Sequence, residues 1–476
     1  MARIALLLLL ATIAIATVPF ATTTYHFHAL KGWINDPNGL IYVDGQHHWF
    51  FQLNPDDVVW GNIHWGHAVS TDLLKWTILD NALTPNSTFD ANGCWSGGAY
   101  LSDNNSTINL LYTCVNAANE QQQCVATSTD GKNFTKSPAN PVLPTPANIL
   151  PNQFRDPQPI FNPTTEAVEG VVIGAGSAQG GLAQFYHINP NATEWTLVGT
   201  MMADDDTRDF ECPDLIIDGT TGRAAFCVSL EYEGKTHHNG YFLGTWDEGA
   251  GSFTPTGDAK RLEHGDMYAP RSYLVDGRRL LVGWLNDEVD SSELVELGYA
   301  GAMTVPREVT IDSTGLHQRP ADEIAAMLSN TVSGKLAVWG TEPLPISGHA
   351  LWLELVVAGR GNTTVHVMHD SSLGEDTRVV VNPDMQAVII ERADSSSLAL
   401  NGTVTTDVVI PASIGSSTGL VILVDGSIVE VFVDETSVGS AHIYPSKANR
   451  GGALISAAQS DVRYTVGLLG QGFFIQ

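Results

Sequence analysis

Ser70-Thr71-Asp72-Leu73-Leu74-Lys75-Trp76-Thr77 is a polar turn closed by an aromatic residue and a threonine, and the chain repeats this arrangement. The aromatic-Thr pair recurs at Phe134-Thr135, Trp195-Thr196 and Phe253-Thr254, at intervals of 58, 61 and 58 residues. The turns before it correspond as well: Ser128-Thr129-Asp130, Asn189-Pro190-Asn191 and Trp246-Asp247-Glu248. Between them lie short runs such as Trp49-Phe50-Phe51, Val171-Val172-Ile173 and Leu280-Leu281-Val282. β-Branched and aromatic residues suit a pleated surface, and Asn, Asp, Ser and Pro turn the chain. An even repeat of this length, with about four short strands per unit, is the signature of a propeller blade. Tyr25 to Pro320 has room for five such units, so the expected class is all-β, beginning with a five-bladed β-propeller.

Beyond Pro320 the texture changes. Ala321 to Met327 reads as a short helical connector. After Ser333, alternating segments such as Leu351–Leu355, Thr364–Val367, Val379–Val381 and Ile428–Val433 read as strands separated by turns such as Asp425-Gly426. This is the pattern of a C-terminal β-sandwich. The expected boundaries are 1–21 for a leader, 22–320 for the propeller, 321–335 for a linker and 336–476 for the sandwich.

The leader is read from Arg3, the apolar run Ile4–Ile15 and the small residues Ala14-Ile15-Ala16, with Ala21 as a second cleavage position. The run is short for a membrane span, and no later segment has the ~20 apolar residues a span needs. A secreted chain without a membrane partner is expected. Seven Asn-x-Ser/Thr sites (Asn86, Asn104, Asn105, Asn133, Asn191, Asn362 and Asn401) would then accept N-linked glycans. A net charge of −29 over 476 residues argues against nucleic acid as a partner, which requires a positive face. The five cysteines contain no Cys-x-x-Cys pair, so no structural zinc is expected; the odd count leaves a free thiol, and Cys114–Cys124 is the most plausible disulfide. Neither a cofactor nor a metal is called for.

Three acidic motifs stand out in the propeller half: Asn35-Asp36-Pro37-Asn38-Gly39, Arg155-Asp156-Pro157 and Glu211-Cys212-Pro213-Asp214. The acids are separated by 120 and 55 residues, about two repeat units and one, so a propeller would gather them at one funnel. Paired carboxylates without a cofactor suit glycoside hydrolysis, in which one attacks the anomeric carbon and the other protonates the leaving oxygen. Asp36 lies among polar residues suited to an ionised nucleophile. Glu211 lies between Phe210, Cys212 and Pro213, an apolar setting expected to raise the pKa of an acid. The adjacent Arg155 is expected to hold Asp156 ionised. Trp33, Trp60, Trp65, Trp95 and Trp284 are candidates for stacking on sugar faces, with Trp60, Trp65 and the run Asp204-Asp205-Asp206 placed at the funnel mouth.

At these residues the sequence resembles glycoside hydrolase family 32, the family of invertases, inulinases, levanases and fructan exohydrolases. The resemblance runs in order through Trp33–Gly39, Phe51-Gln52-Leu53-Asn54-Pro55, Trp60–Ala68, Trp95-Ser96-Gly97, Arg155-Asp156-Pro157, Glu211-Cys212-Pro213-Asp214, Tyr268-Ala269-Pro270, Gly301–Arg307 and Val429–Phe432. It implies a propeller plus sandwich and a retaining mechanism. Asp36 would be the nucleophile, Glu211 the acid/base and Asp156 the group gripping the fructose hydroxyls. Asn35, Gln52, Trp60, Trp95, Ser96, Arg155, Tyr268 and Trp284 would line the substrate site. Leu53, Gly98, Tyr100 and Arg271 depart from the family pattern. Sucrose or another short β-fructoside is the expected partner; a fructan hydrolase or a fructosyltransferase would carry the same catalytic residues.

Overall fold

The four aromatic-Thr pairs mark the outermost strand of four successive sheets: Lys75–Leu83, Thr135–Lys136, Trp195–Asp204 and Ser252–Pro255. The computed structural model describes residues 19–102, 106–231, 238–359, 361–402, 405–470 and 472–475; most of the leader and the sites Asn104 and Asn105 lie outside them. The repeated turns are one hydrogen-bonding device. Asp72 Oδ1 accepts from the amides of Leu74 (3.0 Å) and Lys75 (2.8 Å), and Asp130 Oδ1 from those of Lys132 (2.9 Å) and Asn133 (2.8 Å). Asn189 Oδ1 does the same for Thr193 at 2.8 Å. A short carboxylate or amide side chain thus satisfies the amides left free where the chain reverses, and the aromatic that follows drops into the packing between blades.

Five antiparallel blades result. Their innermost strands are Gly32–Val43, Cys94–Leu101, Phe154–Phe161, Asp209–Ile217 and Met267–Val275, for blades I to V in order. Blade V ends in Leu316–Pro320, which has no aromatic-Thr pair, so the repeat is legible in four blades of five. The ring closes where Phe27, Trp49, Phe51 and Trp76 pack on Tyr273, Leu280 and Val282 of blade V. Cys114–Cys124 is the disulfide, joining neighbouring strands of blade II, while Cys94, Cys212 and Cys227 are buried and free.

The helix Asp322–Ala325 leads to a second body, whose first strand, Leu328–Ser347, pairs along Gly452–Leu469. Its ten strands form one continuous sheet that folds over a core of Val, Leu and Ile side chains. The sheet's two ends approach each other, with Ser437 Oγ donating to Pro411 O at 2.7 Å, so the sandwich is largely closed. A final strand, Phe473–Ile475, leaves this body and pairs in parallel with Lys75–Thr77 on the outer edge of blade I.

A buried ionic cluster joins the two bodies. His26 Nδ1 lies 2.9 Å from Asp425 and its Nε2 2.9 Å from Glu430, while Arg307 of blade V holds the other Glu430 oxygen at 2.6 Å. Burial opposes the imidazolium, but the hydrogen bonds and charges of Asp425 and Glu430 outweigh it and lift the His26 pKa to about 9. A folded-state pKa above the unfolded value stabilises fully below about 6.5, and that stability is lost as pH rises through 9. The shift corresponds to something on the order of 3 kcal/mol. Thermal unfolding followed between pH 6 and 10 should therefore show Tm falling through pH 9. His26→Gln should be less stable at pH 6 and should flatten that limb; an unchanged alkaline limb in the variant would refute the assignment.

Candidate active site

The innermost strands of all five blades run in the same direction, and each breaks its register near its starting end. The irregularities fall between Ile34 and Pro37, Trp95 and Gly97, Glu211 and Asp214, and Tyr268 and Arg271, with the fifth at Asp156-Pro157, between Arg155 and Gln158. A bulge inserts an unpaired residue and re-aims its neighbours. In three blades the device is the same: a left-handed residue followed by proline. Asp156 (φ 67°), Cys212 (φ 47°) and Ala269 (φ 51°) each precede Pro157, Pro213 or Pro270. Non-glycine residues held there cost of order 1–3 kcal/mol each, and such strain gathers at functional sites. The residues just before these three kinks meet: Arg155 Nη2 donates to Glu211 Oε1 at 2.8 Å, and the Tyr268 hydroxyl donates to Glu211 Oε2.

The three acids converge as their spacing predicts. Asp36 Oδ2 accepts from Ser96 Oγ at 2.6 Å and from the Cys212 thiol at 3.3 Å, and its Oδ1 accepts from Asn35 Nδ2 at 3.0 Å. The Cys212 amide donates to Asp156 Oδ2 at 2.8 Å, and Asp36, Asp156 and Cys212 each place one polar atom within 4.8 Å of the others. Burial and the Asp156 charge push the Asp36 carboxyl up to about 6, against the hydrogen bond from Ser96. Burial also raises Asp156, opposed by Arg271 and then Arg155. The Cys212 thiol and the Tyr268 phenol are raised, first by burial, and so remain protonated donors.

Several expectations need correction. The polar neighbours of Asp36 do donate to it, but desolvation wins, so the carboxyl lies well above an ordinary aspartate. Glu211 is not in an apolar setting: Phe210 turns into the core, the Cys212 thiol turns to Asp36, and the Glu211 carboxylate faces Arg155 and Tyr268. Arg155 spends its guanidinium on Asp209 (2.5 Å) and Glu211, so Arg271 is the first counter-charge to Asp156. Trp65 is fully buried between blades I and II and donates to Trp95 O at 3.0 Å, so it does not reach the mouth. Trp60 is 56% exposed, with its ring 5.7 Å from that of Trp95. Trp33 is buried against half-buried Trp284, ring to ring at 5.5 Å. Gln52 is buried and donates to Cys94 O at 3.1 Å, fixing the strand that carries Trp95 and Ser96. Asp204–Asp206 lie on the connection into Asp209, on the side of the propeller where the innermost strands begin.

Two residues had no role assigned from sequence. Asp209 pins Arg155. Arg271, buried at 1% exposure, donates to Pro213 O (2.7 Å) and Asp156 O (3.4 Å), bracing both kinks from behind. The departure at Gly98 also has a cause: a Cβ there would lie 2.4 Å from Pro159 Cδ of the next blade. Asn35 Oδ1, Trp95 Nε1 and Trp284 Nε1 have no hydrogen-bond partner among the described residues. Unpaired buried polar atoms are uncommon and call for an explanation such as a ligand.

Comparison with known proteins agrees with this geometry. Residues 26–320 match the glycosyl hydrolases family 32 N-terminal domain and residues 325–466 the family 32 C-terminal domain. The cell wall β-fructofuranosidase of Pisum sativum is 34% identical over 68% of this chain, though the match spans only 64% of that enzyme's length. Sucrose-6-phosphate hydrolase of Escherichia coli is 30% identical over 89% of the chain and 90% of its own. Among solved structures, the Bombyx mori β-fructofuranosidase superposes with a TM-score of 0.78 at 28% identity, covering 95% of both chains. Fructan 1-exohydrolase IIa of Cichorium intybus shares the fold, with a TM-score of 0.84 at 24% identity over 96% of this chain and 98% of its own. Two family domains in series, spanning propeller and sandwich, settle the assignment: the chain belongs to glycoside hydrolase family 32.

Proposed function

We propose that this chain is a retaining β-fructofuranosidase that hydrolyses sucrose and short β-fructosides. The observation that carries the reading is the convergence of Asp36, Asp156 and Glu211 from three blades onto one hydrogen-bonded cluster. Asp36 attacks the anomeric carbon of the fructosyl unit while that carbon's bond to the leaving oxygen breaks and Glu211 gives the oxygen its proton. Glu211 then takes a proton from water, and the resulting hydroxide displaces Asp36. Asn35, Gln52, Trp60, Trp95, Ser96, Arg155, Tyr268 and Trp284 form or support the pocket. A preference for short substrates is favoured by Trp60, a bulky ring standing at the mouth beside Trp95. Comparing kcat/KM for sucrose and inulin tests it: a higher value for inulin would make the enzyme a fructanase with the same acids. Accumulation of longer fructosides from sucrose would make it a transferase.

Asp156 serves the transition state. A carboxylate accepting two hydroxyl hydrogen bonds helps most when the ring becomes cationic, so Asp156→Asn should lower kcat more than it raises KM. Steady-state kinetics with sucrose check this, and an effect confined to KM would contradict it.

We further infer secretion, with a leader ending at the earlier cleavage position, Ala16. Phe20 is buried with its ring 5.1 Å from Tyr444, and cleavage after Ala21 would remove it. Asn86, Asn133, Asn191, Asn362 and Asn401 are all exposed and open to glycan attachment. Among the described residues no helix is long and apolar enough to cross a membrane.

A further inference from the structure

On the sandwich, far in sequence from the catalytic acids, two histidines and an aspartate converge on one point. In a regular strand, residues three apart face opposite ways. Thr363–Asp370 is interrupted by a bulge, with Met368 at φ 48°, and the added residue brings His369 to the face of His366. Asp376, on the neighbouring strand Glu375–Asn382, accepts from both rings: His366 Nδ1 lies 2.9–3.0 Å from its two oxygens and His369 Nδ1 3.2 Å from Oδ1. All three are half-buried.

We propose that His366, His369 and Asp376 bind a divalent transition-metal cation of the zinc class, with water completing a tetrahedron. A zinc ion with bonds of 2.0–2.2 Å holds its ligand atoms about 3.3–3.5 Å apart, so the two histidine–aspartate separations need to open by only about half an ångström or less, and all three ligand atoms already lie within 4.8 Å of one another. The surroundings match what orients metal ligands. His366 Nε2 lies 3.1 Å from Ser456 Oγ, which is itself 2.8 Å from Thr341 Oγ1; this fixes the ring and leaves Nδ1 for the metal. Arg378 Nε is 3.2 Å from Asp376 Oδ2, the oxygen turned away from His369, and steadies the carboxylate. That guanidinium is offset by Glu391 at 3.2 Å and by Asp394, so the carboxylates around the two imidazoles outnumber the one cation. On binding, the cation takes the Nδ1 lone pairs, and each ring carries its one proton on Nε2, which in His366 faces Ser456 Oγ.

Titrating the metal-stripped full chain with Zn²⁺ near pH 7.5 tests the site. The Asp36→Ala background is run in parallel, so that the propeller acids do not contribute. One ion per chain is expected in both, with a raised Tm. His366→Ala and His369→Ala should each weaken binding by more than about 100-fold, since even an outer-shell change costs roughly 10–100-fold. Ser456→Ala should cost about tenfold, and all three variants should hydrolyse substrate as the parent does. Absence of saturable binding, or affinity unchanged in both histidine variants, would overturn the proposal. Should the variants fail to fold, Co²⁺ added to the wild type decides: an intense tetrahedral visible spectrum supports the site, and a weak octahedral, oxygen-only one refutes it.

Discussion

Asp36→Ala should reduce sucrose turnover by roughly 10⁴–10⁶-fold, the scale on which loss of a nucleophile is felt. The fold should survive. Asp36 is half-buried at the open end of the propeller, and its partners Ser96, Cys212 and Asn35 are small groups that water can satisfy. The wild-type acid limb should carry the signature of the same carboxyl. Asp36 must be ionised to attack, and its pKa is held up to about 6, so kcat/KM should rise with pH through that value. Rapid quenching of a slow fructosyl substrate followed by peptide mass spectrometry should find the sugar on Asp36. A fructosyl adduct on another residue, or direct release of the inverted anomer, would sink the assignment.

Glu211→Gln should cost roughly 10²–10⁴-fold in kcat/KM, the usual worth of general acid–base catalysis. The loss should depend on the leaving group. A fructoside whose leaving group departs as a stable phenolate needs no proton in the first step, so it should be far less affected than sucrose. The basic limb of the wild-type profile should vanish in the variant, because glutamine has no proton to lose in that range. Gln keeps an oxygen for Arg155 or Tyr268, so the kinks should hold their geometry. A variant with an unchanged basic limb and a rate within a few-fold of wild type would remove Glu211 from the mechanism.

What the sequence revealed and what it hid divide along the range of the interactions involved. The aromatic-Thr repeat was readable because each unit is local: Asp72 and Asp130 bond amides two and three residues away. The blades followed from it, and with them the meeting of three acids distant in sequence. Electrostatic character was not readable, because it depends on side chains from other blades. Glu211 has apolar neighbours in sequence and polar ones in space. Arg155 adjoins Asp156 but pairs with Asp209 and Glu211, and the cation that matters first to Asp156 is Arg271, more than a hundred residues on. Trp65 was misplaced for the same reason: sequence puts it near Trp60, but strand alternation turns it inward. A closer reading of Arg-Asp-Pro, Glu-Cys-Pro and Tyr-Ala-Pro as one recurring triplet would have aligned three blades and brought Arg155, Glu211 and Tyr268 together.

The strand Phe473–Ile475 has a bearing on how the molecule comes apart. The chain leaves blade V at Pro320, builds the whole sandwich and returns to the edge of blade I. With the propeller intact, the intervening segment of about 150 residues is a loop tethered at both ends, and closing it lowers the entropy of its disordered state. A covalent crosslink over a loop of that size would be worth about 5 kcal/mol. Here the link is a three-residue strand pair, which lasts only while the edge of blade I is in place. Loss of that edge releases the tether, so melting of blade I enlarges the conformational freedom of the sandwich as well.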